Sequence, residues 1–243
     1  MSEKRFTLLA LMCLFICLAC AGGAFAYLTN TKTVTNTFSI GEVSIDLLEP
    51  DYPGNGSDET TDLTALQEVP KDPQIYNSGK NRIVAFLHVD IPMASVIVTD
   101  EAGRRQPEEN RELLAFRTTD GTYNSVNDCW HLISTVYLDG NKQKTTQKEA
   151  VICRRLYGCE NVIDVGKTTD SLFDAIRLIN LVEGQLDGQT LEIPLFAYAI
   201  QAENITGLTT ADMQSEVLTT EELANIWEVY FTQNNAGGEN AVF

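Results

Sequence analysis

Apolar residues fall on alternate positions through most of this chain, the period of a strand with one face turned to a core. Val34, Phe38 and Ile40 begin the series, Gly41-Glu42 interrupts it, and Val43, Ile45 and Leu47 resume it. From Arg82 to Ile91 the alternation is double: Ile83, Ala85, Leu87, Val89 and Ile91 share one face, and Val84, Phe86 and His88 the other. Apolar residues on both faces predict an inner strand packed on either side. Residues 191–202 repeat the arrangement, with Ile193, Leu195, Ala197 and Ala199 opposite Phe196, Tyr198 and Ile200. Further strands are predicted at 96–98, 130–138 (around Ile133, Thr135 and Tyr137), 151–157 and 162–165; in 172–182 Phe173, Ile176, Ile179 and Leu181 settle no single period, and flanking glycine favours strand. Turns are expected at Asn77-Ser78-Gly79, Asp100-Glu101-Ala102-Gly103 and Asp139-Gly140-Asn141-Lys142.

The period changes near the end. Leu223, Ile226, Trp227, Tyr230 and Phe231 recur at i, i+3, i+4, i+7 and i+8, the stripe of an amphipathic helix. Thr219 and Glu222 before it form a capping box, in which the hydroxyl and the carboxylate satisfy each other's end of the first turn. A shorter helix is expected at 208–217. Many strands followed by one or two helices predict an all-β, antiparallel sandwich with helical additions.

Two stretches break the alternation. Residues 49–73 carry seven acids, four prolines and a single base, Lys71, and read as a solvated loop or extended crossover, too polar to pack. They contain no D-x-D-x-D-G calcium loop. Residues 104–112 are charged and read as surface.

The chain opens with Lys4-Arg5, an apolar run from Phe6 to about Ala21, and Ala24-Phe25-Ala26. That order is a secretory signal: basic flank, apolar segment, then small residues for a signal peptidase. Cleavage between Ala26 and Tyr27 divides the chain into a signal peptide (1–26), an extended arm (27–40), a sandwich domain with its helix (41–233) and a flexible tail (234–243). Before cleavage the signal is the only segment suited to a membrane, and its apolar run is shorter than the roughly 20 residues of a comfortable span.

The 243 residues carry a net charge of −17. Removing the signal leaves 15 basic and 33 acidic side chains, a balance that argues against nucleic acid as a partner. Of six cysteines, Cys13, Cys17 and Cys20 lie in the signal, leaving Cys129, Cys153 and Cys159. An odd number cannot complete a disulfide framework. A Cys153–Cys159 loop would leave Cys129 over, and three free, buried thiols are the reading favoured. The signal predicts a secreted protein.

Enzyme chemistry finds little support. His88 and His131 are the only histidines, there is no H-E-x-x-H, and the sequence lacks a G-x-S-x-G elbow. Gly166-Lys167-Thr168 suggests a phosphate loop, but the glycine needed five residues earlier is Asn161. No catalytic residue, metal ligand or cofactor is expected.

Three stretches carry a family resemblance. The segment from Ala24 to Pro50 (AFAYLTNTKTVTNTFSIGEVSIDLLEP) resembles the start of the camelysin/TasA proteins. So do Lys71-Asp72-Pro73 through Asn77-Ser78-Gly79-Lys80-Asn81 to Val89, and Asn180 through Glu192-Ile193-Pro194 to Ala202. The resemblance implies a jelly-roll sandwich, a SipW-type signal peptidase cutting at Ala24, Ala26 and Tyr27, and a biofilm-matrix fibre protein acting as a main or minor subunit. It also implies assembly by strand donation, for which the residues offer an arm: Tyr27, Leu28, Thr29, Thr31, Thr33, Val34, Thr35, Thr37 and Phe38. Such a β-branched arm gains main-chain pairing on a neighbour's sheet edge. Because arm and acceptor are different surfaces, the contact need not close, and repetition gives a homo-oligomeric fibre. The arm as an edge strand of its own sandwich is the alternative. Camelysin has been classed as a metalloprotease, so a cell-surface metal-dependent peptidase is a second functional expectation and a monomeric adhesion module a third.

Overall fold

The structure, a computed structural model, describes residues 42–54, 57, 60, 63–203, 205 and 217–234. The signal, the arm with its cleavage residues, the short helix expected before Val217 and the tail beyond Asn234 lie outside the described residues.

The fold is the all-β antiparallel sandwich expected, with a helix near the C-terminus. Its centre is β4 (Ile83–Val96), every residue of which is buried from Ile83 to Ile91. On one side β4 pairs with β10 (Leu195–Gln201), and on the other with β8 (Ile152–Cys159), which in turn pairs with β7 (Trp130–Leu138). The last four residues of β4 leave β8 and pair with β5 (Glu109–Glu112). Pro92, which has no N–H to give a ladder, stands where the partner changes. A second sheet has the order β2 (Glu68–Pro70), β9 (Ala175–Leu178), β6 (Leu114–Arg117). A two-stranded ribbon joins β1 (Ile45–Leu48) to β3 (Gln74–Asn77).

Two cores follow from the two faces of β4. Ile83, Ala85, Leu87, Val89 and Ile91 meet Val69, Ile75, Leu114, Phe116, Ile176 and Leu178 from the smaller sheets. Val84 and Phe86 meet Leu156, Tyr198 and Ile200 and the helix α1 (Thr220–Asn234). The double alternation therefore marks a strand sandwiched between sheet and helix. In β10, Leu195, Ala197 and Ala199 face the first core, as does Ile193 just before it, and Tyr198 and Ile200 face the second. Helix α1 buries Leu223, Ile226 and Trp227, with the Trp227 ring 5.2 Å from Phe86. Its capping box is formed: Thr219 N donates to Glu222 Oε2 at 2.7 Å, and Glu222 N to Thr219 Oγ1 at 3.3 Å.

The structure differs from the sequence reading in several places. In β7 a bulge between Leu132 and Ser134 inserts Ile133 as an extra residue. Plain alternation puts Ile133 and Tyr137 on one face, but the bulge turns Ile133 to the helix side and Tyr137 to the first core. The acidic stretch 49–73 is not all solvated, because it contributes β2 and buries Val69, Lys71 and Asp72. Residues 109–112 form β5, and Val96 ends β4 rather than starting a new strand. In 162–165 only Ile163 bridges, to Ile83. The three turns form as expected; at Asp139, for example, Oδ1 accepts from the amides of Asn141 and Gln143.

Candidate assembly surface at the incoming strand

Parts of the stretches quoted for the family resemblance, within the described residues, pair with one another or with neighbouring strands. β1 lies on β3 in the register Ile45–Asn77 to Leu48–Gln74, and β10 lies on β4. The motif residues between them hold the incoming strand. Lys71 Nζ sits 2.6 Å from Glu49 Oε1 and 4.4 Å above the Tyr52 ring. Asp72 Oδ1 accepts from the Asp51 amide at 2.9 Å, and its Oδ2 from Gln74 Nε2 at 3.0 Å. Burial, together with the neighbouring Asp51 charge, raises the Asp72 pKa despite these bonds.

At the other end of the ribbon Lys80 N donates to Glu42 O at 2.8 Å, and Ser78 Oγ to Ser44 Oγ at 3.1 Å. Asn77, fully buried, accepts from Gly79 N through Oδ1 and donates through Nδ2 to the carbonyls of Asn81 and Ile163. Gly79 has no positive φ, and its requirement is space. A Cβ there would lie 2.5 Å from Glu42 O and 2.8 Å from Ser44 N, both backbone atoms. The backbone from Glu42 to Leu48 is thus clamped along the stretch that follows Lys71.

Apolar side chains at and just before β1 reach solvent. Val43, Leu47 and Leu48 are exposed, whereas Ile45 packs on the first core. Among the described residues, no strand is hydrogen-bonded to the second edge of β1 or to the outer edge of β10, although these two strands approach each other; Phe196 of β10 is also exposed. An unpaired edge with apolar side chains is a template for another strand.

The two histidines stand apart, each held by its own carboxylate. His88 Nε2 contacts Asp90 Oδ1 at 2.6 Å, and Arg154 binds both Asp90 oxygens at 2.8 and 2.9 Å. Burial lowers the His88 pKa, outweighing the nearby carboxylate. For Asp90, burial alone would raise the pKa, but the bonds from His88 and Arg154 and their charges hold it at about 2. His131 Nε2 lies 2.8 Å from Glu160 Oε2, and its Nδ1 faces Thr220 Oγ1 at 3.2 Å. The Asp90–Arg154 pair, with His88 beside it, ties β4 to β8, and His131 ties β7 to the start of α1. No group of three His, Cys, Asp or Glu side chains arranged to hold a metal ion occurs among the described residues.

Comparison of the chain with models of known protein families finds no match, and comparison with curated proteins finds none either. The clamp on the incoming strand was only partly legible beforehand. Lys71 stood out as the one base in an acidic run, but its burial against Glu49 depends on the fold. Asn77-Ser78-Gly79 read as a turn, with no sign that Gly79 makes room for another backbone.

Proposed function

We propose that this chain is a secreted structural subunit of a bacterial biofilm-matrix or cell-surface fibre, main or minor, assembled by donation of its N-terminal strand. In this reading a SipW-type signal peptidase cuts after Ala26 and frees the arm from Tyr27 to Phe38. The arm then adds to a sheet edge of a neighbouring copy, and the partner is another molecule of the same protein. The observation that carries the reading is the clamp on residues 42–48. A domain that fixes the root of the arm firmly, beside an apolar edge, suits transmission of force from one subunit to the next. The exposed Val43, Leu47 and Leu48 supply apolar area for an added strand. The family resemblance of the same segments points the same way.

Electron microscopy of the protein beginning at Tyr27, with and without residues 27–37, tests the proposal. Filaments from the longer form and monomers from the shorter are expected. Monomers from both forms would overturn it, and metal-chelator-sensitive casein cleavage by those monomers would support the peptidase reading instead. The high negative charge adds a condition: filaments should form more readily as salt rises or pH falls, because both relieve self-repulsion.

A further inference from the structure

Cys153 and Cys159 lie six residues apart on one extended strand, β8, and so stand about 20 Å apart. A disulfide needs Cα atoms within roughly 7 Å, so the Cys153–Cys159 loop is ruled out. The structure makes a different pairing available. In the β7–β8 ladder Trp130 is opposite Cys159, and Cys129 precedes Trp130, its carbonyl accepting from Glu160 N at 2.9 Å. Strict alternation would send Cys129 and Cys159 to opposite faces. Cys129, however, lies in the turn closed by the Trp130 N to Asn127 O bond, ahead of the strand, and it packs on the same core as Cys159. All three cysteines are free thiols in this structure, and Cys129, half-buried, lies diagonally across the ladder from Cys159 at the same corner of the core.

We propose that Cys129 and Cys159 are a redox-active pair that closes to a disulfide, stapling the start of β7 to the end of β8 and leaving Cys153 as a permanent free thiol. The oxidant is a small-molecule or protein disulfide. The thiolate of half-buried Cys129 attacks it and expels one thiolate; Cys159 sulfur then attacks the mixed disulfide, forming the Sγ–Sγ bond and expelling the second. The two protein thiols give up two protons and two electrons, and the external disulfide becomes two thiols. The Cys159 thiol, followed by burial, raises the Cys129 pKa well above the thiol range, so little thiolate exists once the corner is packed. Closure therefore belongs to folding, while β7 and β8 are meeting. Burial likewise pushes Cys153 up to about 12. The pair sits where α1 begins: Leu218 N donates to Glu160 O at 2.7 Å, so the staple also fixes the helix's footing.

Trypsin separates the relevant cysteines. Cys129 falls on fragment 118–142, Cys153 on 149–154, Cys159 on 156–167, and the signal cysteines on 6–32. The full chain is reduced, denatured, refolded in a glutathione redox buffer, alkylated and digested without reductant. Mass spectrometry should find 118–142 joined to 156–167 and 149–154 alkylated. Cys129→Ser should abolish the joined species, whereas Cys153→Ser should leave it intact. Reducing the refolded protein should lower Tm by about 5 °C or more. Recovery of 118–142 and 156–167 both alkylated, or joined to any other fragment, overturns the pairing. Formation in the cell rests on the proposed export, since cytosolic thiols stay reduced. Refolding does not, so its failure would sink the pairing and leave the fibre reading standing.

Discussion

The Lys71 ammonium lies 2.6 Å from the Glu49 carboxylate, with only 7% of the lysine side chain and 23% of the glutamate exposed. The contact is close, although Glu49 Oε1 lacks the angle of a hydrogen bond, so the attraction is mainly one of charge. Removing one partner of such a pair strands the other. Glu49→Gln should destabilise the domain by about 2 kcal/mol, below the range for fully buried pairs because Glu49 keeps some solvent. Lys71→Met, which keeps apolar contact with Tyr52, should cost less. Urea midpoints of the three proteins decide the order.

Gly79→Ala should act on the incoming strand alone. Its new Cβ would meet two backbone atoms that no side-chain rotation can move, and overpacking of this kind costs about 1–3 kcal/mol. The expected result is earlier proteolysis near residues 42–48 and faster hydrogen exchange at Lys80 N, with protection of β4 and β8 unchanged. Equal exchange at Lys80 would show that the strand does not depend on this gap.

Acid should weaken the domain in two stages. His88 has a lowered folded pKa, so below the unfolded value of about 6.5 the unfolded chain takes up the proton first. Stability then falls as pH drops. Asp90, held at about 2 against its ordinary 3.8, adds stability that is complete above about pH 4 and lost as pH falls through 4 towards 2, worth about 2 kcal/mol. Tyr198, Phe196 and Arg154 also stand around the pair. Denaturant midpoints from pH 8 to 2 should show both stages in the native protein, and Asp90→Asn should shrink the lower one, to which the Asp100, Asp120 and Asp174 carboxylates, also held below their ordinary range, contribute.

Helix α1 offers a graded pair of tests. Thr219→Ala removes a cap and should cost about 1 kcal/mol. Leu223→Ala empties a fully buried site between helix and sheet and should cost about 3 kcal/mol. Thermal unfolding that ranks the two the other way would contradict the packing of α1.

Charge on the exposed face of β1 should separate assembly from folding. Leu47→Lys sits on the surface and should leave Tm nearly unchanged, yet it should suppress filaments, as lysine on a strand edge discourages pairing. Normal filaments from this variant would move the acceptor site away from β1.

Both faces of β4 and β10 were legible because those strands keep strict period two and are lined with apolar side chains. Helix α1 was legible for the matching reason at its own period. β7 was misleading on one point: a bulge adds a residue without leaving a mark in composition, and everything after Ile133 changes sides. β5 was missed because an edge strand needs only backbone to pair, so Glu109–Glu112 can be polar or charged throughout. β2 was hidden in its acidic surroundings because a single side chain, Val69, reaches the core. The thiol pair followed from neither spacing nor alternation, since a turn places Cys129.

β4 is wetted on neither face between Ile83 and Ile91, and it belongs to both cores at once. Peeling away the helix would bare Val84 and Phe86 on the very ribbon whose reverse side anchors the small sheets. Loss of either layer therefore undermines the other, and the domain should melt as a single cooperative body, with no half-unravelled resting state under load before it gives way.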